Sequence, residues 1–378
     1  MYIVQFDRDI VKMNTIKDII EVLRKRLDEP EIFLSEHREI TGNVLAGAFC
    51  ESIPPEVALA AGISIFYIPV KYQLAVMKKS RDIDSSIDWI NSNYDLVLVP
   101  SCLDNINKEL EDRGIEVYSF KISEGWGEES SVFLHNEILS LFESTGYPFD
   151  PLQSVNKLRE SCKVHDSIRK LVRGIAATRA DNPKLLSNND LQVVFESALC
   201  LPPESMVEEL SSLLSLLQDK HSEHGTDLNV MVFGGMELDG RVLDDIELTG
   251  SLVITEDDCC MARRRFDMSL NCQSPNLYYE LLDLYSYKPY CPMMRPVEER
   301  YQLLYKLLKN YNINLLLFIE DALCHARNEH SRYLYRKVRQ DGIDALVTTE
   351  KNAVNDLRDY IERYNSGMRV SISIPEKN

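Results

Sequence analysis

The stretch YDLVLVPSC, residues 94–102, decides how this chain is read. Leu96 to Val99 form an unbroken apolar run with no polar alternation, too short for a helix, which marks a strand buried on both faces. Pro100 and Ser101 close the run, and a cysteine follows at once. Outward from it, GISIFYIPV (62–70) and GIEVYSF (114–120) have the same character and are separated from it by helical patterns. Apolar strands alternating with helices indicate a parallel sheet covered on both sides.

A second set of such strands begins further on, with LNVMVFGG (228–235), SLVITEDD (251–258), INLLLFIED (313–321), DALVTTE (344–350) and RVSISIP (369–375). Between the sets, from about 131 to 220, NEILSLFES, VNKLRESCKVHDSIRKLVRGIAATR and SMVEELSSLLSLLQDK repeat their apolar residues at helical spacing. The chain opens with TIKDIIEVLRKRLDEP (15–30), an amphipathic helix that stops at Pro30. The expected architecture is α/β. It has an N-terminal helical segment (1–40), a first parallel-sheet domain (41–150), a helical connector (151–225) and a second parallel-sheet domain (226–378).

Composition limits what such a chain does. Hydrophobic residues at 44% and charged residues at 27% are those of a globular protein. No apolar run is long enough to cross a bilayer, and the start of the chain lacks the pattern of an export signal. A formal charge of −18 argues against nucleic acid, because phosphate binding needs a basic face. Nine cysteines without an export signal read as thiols in a reducing compartment, the cytoplasm, available for metal or redox work.

Where those cysteines fall is informative. In an open parallel sheet, ligands bind beyond the C-terminal strand ends. VLVPSC runs into Cys102, LLLFIEDALC into Cys324, and SLVITEDDCC into Cys259 and Cys260. Cys50, in GAFCESIPPEVALAAG, precedes a helix start marked by Ser52, Pro54, Pro55 and Glu56, and the dipole of that helix favours a thiolate. Cysteine is also a frequent small hydrophobe of protein cores. That is the reading for Cys162 and Cys200, which lie in or near helical patterns, while Cys272 falls in a polar loop. No CxxC pair and no Cys and His at finger spacing favour zinc. Cysteines far apart in sequence, each on its own loop, suit an iron–sulfur centre better. Three ligands would leave one iron open, which is a catalytic arrangement.

From about residue 42 to 360 the sequence resembles the 2-hydroxyacyl-CoA dehydratase family, which includes the benzoyl-CoA reductases and the double-cubane cluster proteins. The segments that carry the resemblance are GAFCESIPPEVALAAGI, YDLVLVPSCLDNINKEL, VMVFGGMELDG, SLVITEDDCCMARRRFD, YCPMMRPVEER and LLLFIEDALC. The family's Lys-Phe-Cys-Asp-Pro around the last cysteine is replaced here by Ala322-Leu323-Cys324-His325-Ala326, and an additional mid-domain cysteine of some double-cubane members is lacking. The resemblance implies two flavodoxin-like domains with a helical region. It makes Cys50, Cys102 and Cys324 the ligands of a [4Fe–4S] cluster drawn from both α/β domains, with Cys259 or Cys260 a weaker candidate and a double-cubane cluster the lesser alternative.

The same resemblance implies a lyase of anaerobic radical chemistry. One low-potential electron at the thioester carbonyl gives a ketyl radical, from which hydroxide leaves and the neighbouring proton becomes removable. The implied partners are a paralogous dehydratase subunit in a heterodimer, of which this chain is the smaller in length, an ATP-hydrolysing iron–sulfur activator, and an acyl-CoA substrate. Neither nucleic acid nor membrane is among them. The alternatives are a benzoyl-CoA reductase-type or double-cubane reductase subunit, and a non-catalytic subunit that supports its partner.

Other residues have bland explanations beside the functional ones. Arg263, Arg264 and Arg265 match CoA phosphates, or pair with Glu256, Asp257 and Asp258. Arg295, Glu298, Glu299 and Arg300 read as a solvated helix start after Pro296. Gly234-Gly235 closes a strand, but GGMELDG is not a dinucleotide fingerprint. His135, His165, His221, His224, His325 and His330 read as polar surface residues, and His325 alone adjoins a proposed ligand. Glu56 is equally a site carboxylate or a first-turn acid at a helix start.

Overall fold

The computed structural model describes residues 15–50, 53–121, 123, 127–147, 149–151, 153–181, 183–219, 228–234, 240–249, 252–257, 266–286, 297–320 and 325–366. By contacts the chain forms two compact units. The first comprises Met1–Thr178, Val193–His221 and Arg264–Lys288, the second Arg179–Gln192, Ser222–Arg263 and Pro289–Asn378.

The first unit is built on strands β1 (Val44–Ala48), β2 (Ile63–Tyr67), β3 (Leu96–Pro100) and β4 (Val117–Phe120). All of its pairings are parallel, in the order β2-β1-β3-β4. The second holds β5 (Asn229–Gly234), β6 (Leu252–Asp257), β7 (Leu315–Glu320) and β8 (Asp344–Thr349), again parallel, in the order β6-β5-β7-β8. Strand for strand the two orders are the same. Both follow the doubly wound, flavodoxin-like scheme, in which the chain builds outward first on one side of the opening strand and then on the other. The α/β class expected from the sequence is the class found.

Burial on both faces explains the unbroken apolar strands. Met231, Phe233, Leu316 and Phe318 pack with Tyr301, Leu304, Leu334 and Val338 of helices Val297–Asn310 and His325–Gln340. Their neighbours Val230, Val232, Leu315 and Leu317 point the other way, onto Leu243, Ile246, Leu357 and Tyr360 of helices Gly240–Glu247 and Ala353–Asn365. Alternation of side chains along a strand makes every residue of such a strand a core residue.

β1 is a strand that the sequence patterns did not announce, because VLAGA is poor in β-branched and aromatic residues. Its place is nonetheless central, between β2 and β3. Gly47 explains part of this: a Cβ there would lie 2.7 Å from Cδ2 of Tyr94, so the tyrosine ring occupies the space of a side chain. At the other end of the chain, RVSISIP lies outside the described residues.

The opening helix runs Ile16–Asp28 under a capping box formed by Thr15 and Asp18. Pro30, where it was expected to stop, opens a second helix, Pro30–Thr41, which Gly42 ends in the left-handed conformation at φ 67°. The long helical region consists of Glu128–Thr145, Val155–Asp181, Asn188–Cys200 and Val207–Gln218. Among the described residues no helix is long and apolar enough to cross a membrane.

Candidate iron–sulfur site

In the first sheet the direction of building reverses between β1 and β3, the place at which folds of this kind bind ligands beyond the strand ends. Ala48 stands level with Leu98. One residue further the Phe49 amide still donates to the Leu98 carbonyl at 3.1 Å, so the strands remain paired up to the residue before Cys50. β3 continues to Pro100, and the turn Ser101–Leu103 carries Cys102 into the helix Asp104–Glu111. Parallel neighbours lie about 4.8 Å apart. Cys50, half-buried, and Cys102, exposed, therefore leave adjacent strands at the point of reversal.

Cys324, Cys259, Cys260 and Cys291 lie outside the described residues, as do Arg263, Arg264, Arg265, Arg295 and Gly235. Among the described residues no group of three His, Cys, Asp or Glu is disposed to hold a metal ion. The described part of the proposed ligand set is a pair of thiols, and thiolate sulfur is the donor that iron–sulfur clusters take.

The other described cysteines are in different surroundings. Cys162 and Cys200 are wholly buried, and burial pushes both thiols up, so they remain protonated. Cys272 is half-buried, and its thiol too is raised by burial; its Sγ lies 3.8 Å from the Leu270 carbonyl oxygen.

Six residues after Cys50, Glu56 enters a buried polar group that local patterns gave no means of assembling. Glu56, in the first turn of the helix Pro55–Ala61, is 0% exposed. Arg169, from Val155–Asp181, donates to its Oε1, and the Tyr285 hydroxyl, from helix Leu277–Ser286, donates to its Oε2 at 3.0 Å. Burial alone would raise the Glu56 carboxyl, but the charge and hydrogen bond of Arg169, together with His165 and a backbone hydrogen bond, hold the group below the usual carboxylate range. His165, one turn before Arg169, is pushed down by burial. Of the two readings of Glu56, the first-turn acid describes its position and the ion pair describes its environment.

Further residues escaped the sequence reading. His37 is buried on Pro30–Thr41, with Nδ1 against the Glu204 carboxylate and Nε2 2.8 Å from the Ser64 hydroxyl. His135 is no simple surface residue either, since its Nδ1 is 2.8 Å from the Tyr278 hydroxyl. Arg300 corrects the expectation of a solvated helix start. It is 3% exposed, because on Val297–Asn310 it lies along the same stripe as Leu304 and Leu307, which face the core. A basic residue inside an apolar stripe is invisible to a charge pattern.

The family model described as "2-hydroxyglutaryl-CoA dehydratase, D-component" matches residues 100–357. No curated protein matches. Among solved structures, a GTP-binding protein from the hyperthermophilic archaeon Sulfolobus solfataricus, in complex with GDP, aligns at 12% identity and a TM-score of 0.21, over 86% of this chain and 99% of that one. A TM-score of that size carries no argument about fold or function.

Proposed function

The chain belongs to the 2-hydroxyglutaryl-CoA dehydratase D-component family, and on that premise we propose that it is the iron–sulfur subunit of an ATP-activated (R)-2-hydroxyacyl-CoA dehydratase in the cytoplasm. The observation that carries the iron–sulfur reading is the placement of Cys50 and Cys102 on adjacent strand ends where the sheet order reverses. Cys324 completes the proposed ligand set. Bound there, a [4Fe–4S] cluster supplies one-electron chemistry at low potential, suited to water elimination through a ketyl radical because the proton to be removed is otherwise barely acidic.

The chain's own part is to hold and wall the site. Cys50 and Cys102 bind as thiolates, while burial keeps Cys162 and Cys200 as thiols, so these do not compete for iron. Phe49 and Ile53, each 4% exposed, flank Cys50 in the sequence with buried apolar side chains. A paralogous subunit and an ATP-hydrolysing iron–sulfur activator belong to the same proposal, as does the acyl-CoA substrate.

Anaerobic reconstitution followed by iron and sulfide analysis tests it. About four of each per chain is the expected result, and about twice that would point to a double cubane. Cys50→Ser and Cys102→Ser lower the content, and Cys200→Ser leaves it unchanged. No iron retained by the wild type would refute the reading. Water elimination from a 2-hydroxyacyl-CoA, assayed with activator and ATP, with and without the paralogous subunit, tests the dehydratase assignment.

A further inference from the structure

We propose that Glu56, Arg169 and Tyr285 form a clamp that sets the position of the Cys50 segment, which makes Arg169 and Tyr285 positioning residues for a cluster ligand. The inference rests on the reading of Cys50 as a ligand. Its physical basis is the geometry of the first unit.

Two described points flank Cys50 in the sequence, Phe49 before it and Glu56 after it. The Phe49 amide is bonded to Leu98 of β3 at 3.1 Å. Glu56 is fully buried, with each carboxylate oxygen taken by a different segment, Oε1 by Arg169 and Oε2 by Tyr285. Pro54 and Pro55 stiffen the approach, since each fixes its own φ. In sequence, Cys50 therefore stands between a sheet bond at Phe49 and an ion pair at Glu56.

An ion pair is an unusual choice for that end. Arg169 is 5% exposed and Glu56 0%, so both charges are desolvated, and an apolar contact of the same size would stabilise the fold about as well. What the apolar contact lacks is direction. A carboxylate gripped on two oxygens from helices Val155–Asp181 and Leu277–Ser286 fixes where the helix Pro55–Ala61 begins. Cys50 lies six residues before Glu56.

Alkylation of the metal-free, full-length protein, read cysteine by cysteine by mass spectrometry, tests the clamp without any cluster. Cys200, 0% exposed, reports general loosening, and Cys102 reports the neighbouring loop. Tyr285→Phe removes one bond to the carboxylate with little risk to folding. It is expected to raise the Cys50 rate about tenfold, with Cys102 and Cys200 unchanged. Arg169→Met alone strands a buried charge, so it is paired with Glu56→Gln. The pair removes both charges, recovers melting temperature relative to Arg169→Met, and still leaves Cys50 fast.

Wild-type Cys50 rates in both Tyr285→Phe and the double variant would overturn the proposal, as would equal acceleration at Cys200, which would mean a purely structural role. Iron analysis after anaerobic reconstitution of the same proteins, unalkylated, separates the two readings. If the wild type takes up no iron, the ligand role of Cys50 falls while the alkylation result still decides the clamp.

Discussion

Replacing Gly47 by alanine adds one methyl group to the centre of the first sheet, and the structure sets its cost. The new Cβ would stand 2.7, 2.8 and 3.0 Å from Cδ2, Cγ and Cε2 of Tyr94. Carbon atoms rest at about 3.5–4.0 Å, so the overlap is roughly 0.5–1 Å against three ring atoms. The ring has little room to retreat. It is 5% exposed, meets Trp89 edge-on at 5.9 Å between centroids, and its hydroxyl lies 3.5 Å from the Tyr67 carbonyl oxygen. Overpacking of this kind costs about 1–3 kcal/mol, against which glycine's own entropic handicap in a strand returns about 0.5–1 kcal/mol. Three close contacts at once place this site at the upper end of that range, so the net loss is about 2–2.5 kcal/mol, which lowers Tm by roughly 4–10 °C in a domain of about 150–250 residues.

Thermal unfolding followed by near-UV circular dichroism measures this directly. Adding Tyr94→Ala removes the atoms in collision, so the double variant is expected to lose less than the sum of its parts. An unchanged or raised Tm in Gly47→Ala, or strict additivity in the double variant, would refute the reasoning. Either result would show that β1 tolerates a side chain at Gly47, and that the closeness of the ring does not explain the glycine.

Acid is expected to weaken the fold in two stages. Burial holds His165 below its ordinary 6.5, so its neutral form contributes stability that is complete above about pH 6.5 and is lost as pH falls through the folded value. Glu56 and Glu204 are held below 4.5 by Arg169 and His37, so their contribution is lost deeper in acid. Urea midpoints from about pH 8 to about pH 2 read both stages, and His165→Gln removes the first. In the second unit Arg179, 2% exposed, donates to the Glu247 carboxylate and to the Leu186 carbonyl at 3.2 Å. Arg179→Met is expected to cost about 3–5 kcal/mol, and Glu247→Gln in the same chain to recover much of it; a loss under about 1 kcal/mol by chemical denaturation would contradict the pairing.

The fold was legible wherever one strand's burial left its mark on one stretch of sequence. β3, β5 and β7 are unbroken apolar runs because both faces of each are covered. β1 was not legible, since what lets Val44–Ala48 sit at the centre is the ring of Tyr94, far away in sequence. The same limit applies to the site. Cys102 announces itself at the end of a visible strand, whereas the surroundings of Glu56 depend on Arg169 and Tyr285, which lie 113 and 229 residues away. Sequence periodicity reports a residue's own element. It does not report which distant element supplies the partner, and buried ion pairs are made of such partners.

The equal order of the two sheets also sorts the remaining cysteines. In the first sheet Cys102 follows β3 by two residues. β7 holds the place of β3 in the second sheet, and the sequence reaches Cys324 four residues after it. β6, by contrast, holds the place of β2 at the sheet edge, and Cys259 and Cys260 follow it by two and three residues. An edge strand is one spacing of about 4.8 Å further from the point of reversal, where ligands of this fold bind. On topology alone Cys324 therefore ranks above Cys259 and Cys260 as the third ligand. Single serine substitutions at the three positions, each followed by anaerobic reconstitution and iron analysis, test the ranking. Cys324→Ser is expected to lose iron as Cys102→Ser does, with Cys259→Ser and Cys260→Ser near the wild type. Loss confined to either of the latter two would mean that the correspondence between the sheets does not extend to their ligands.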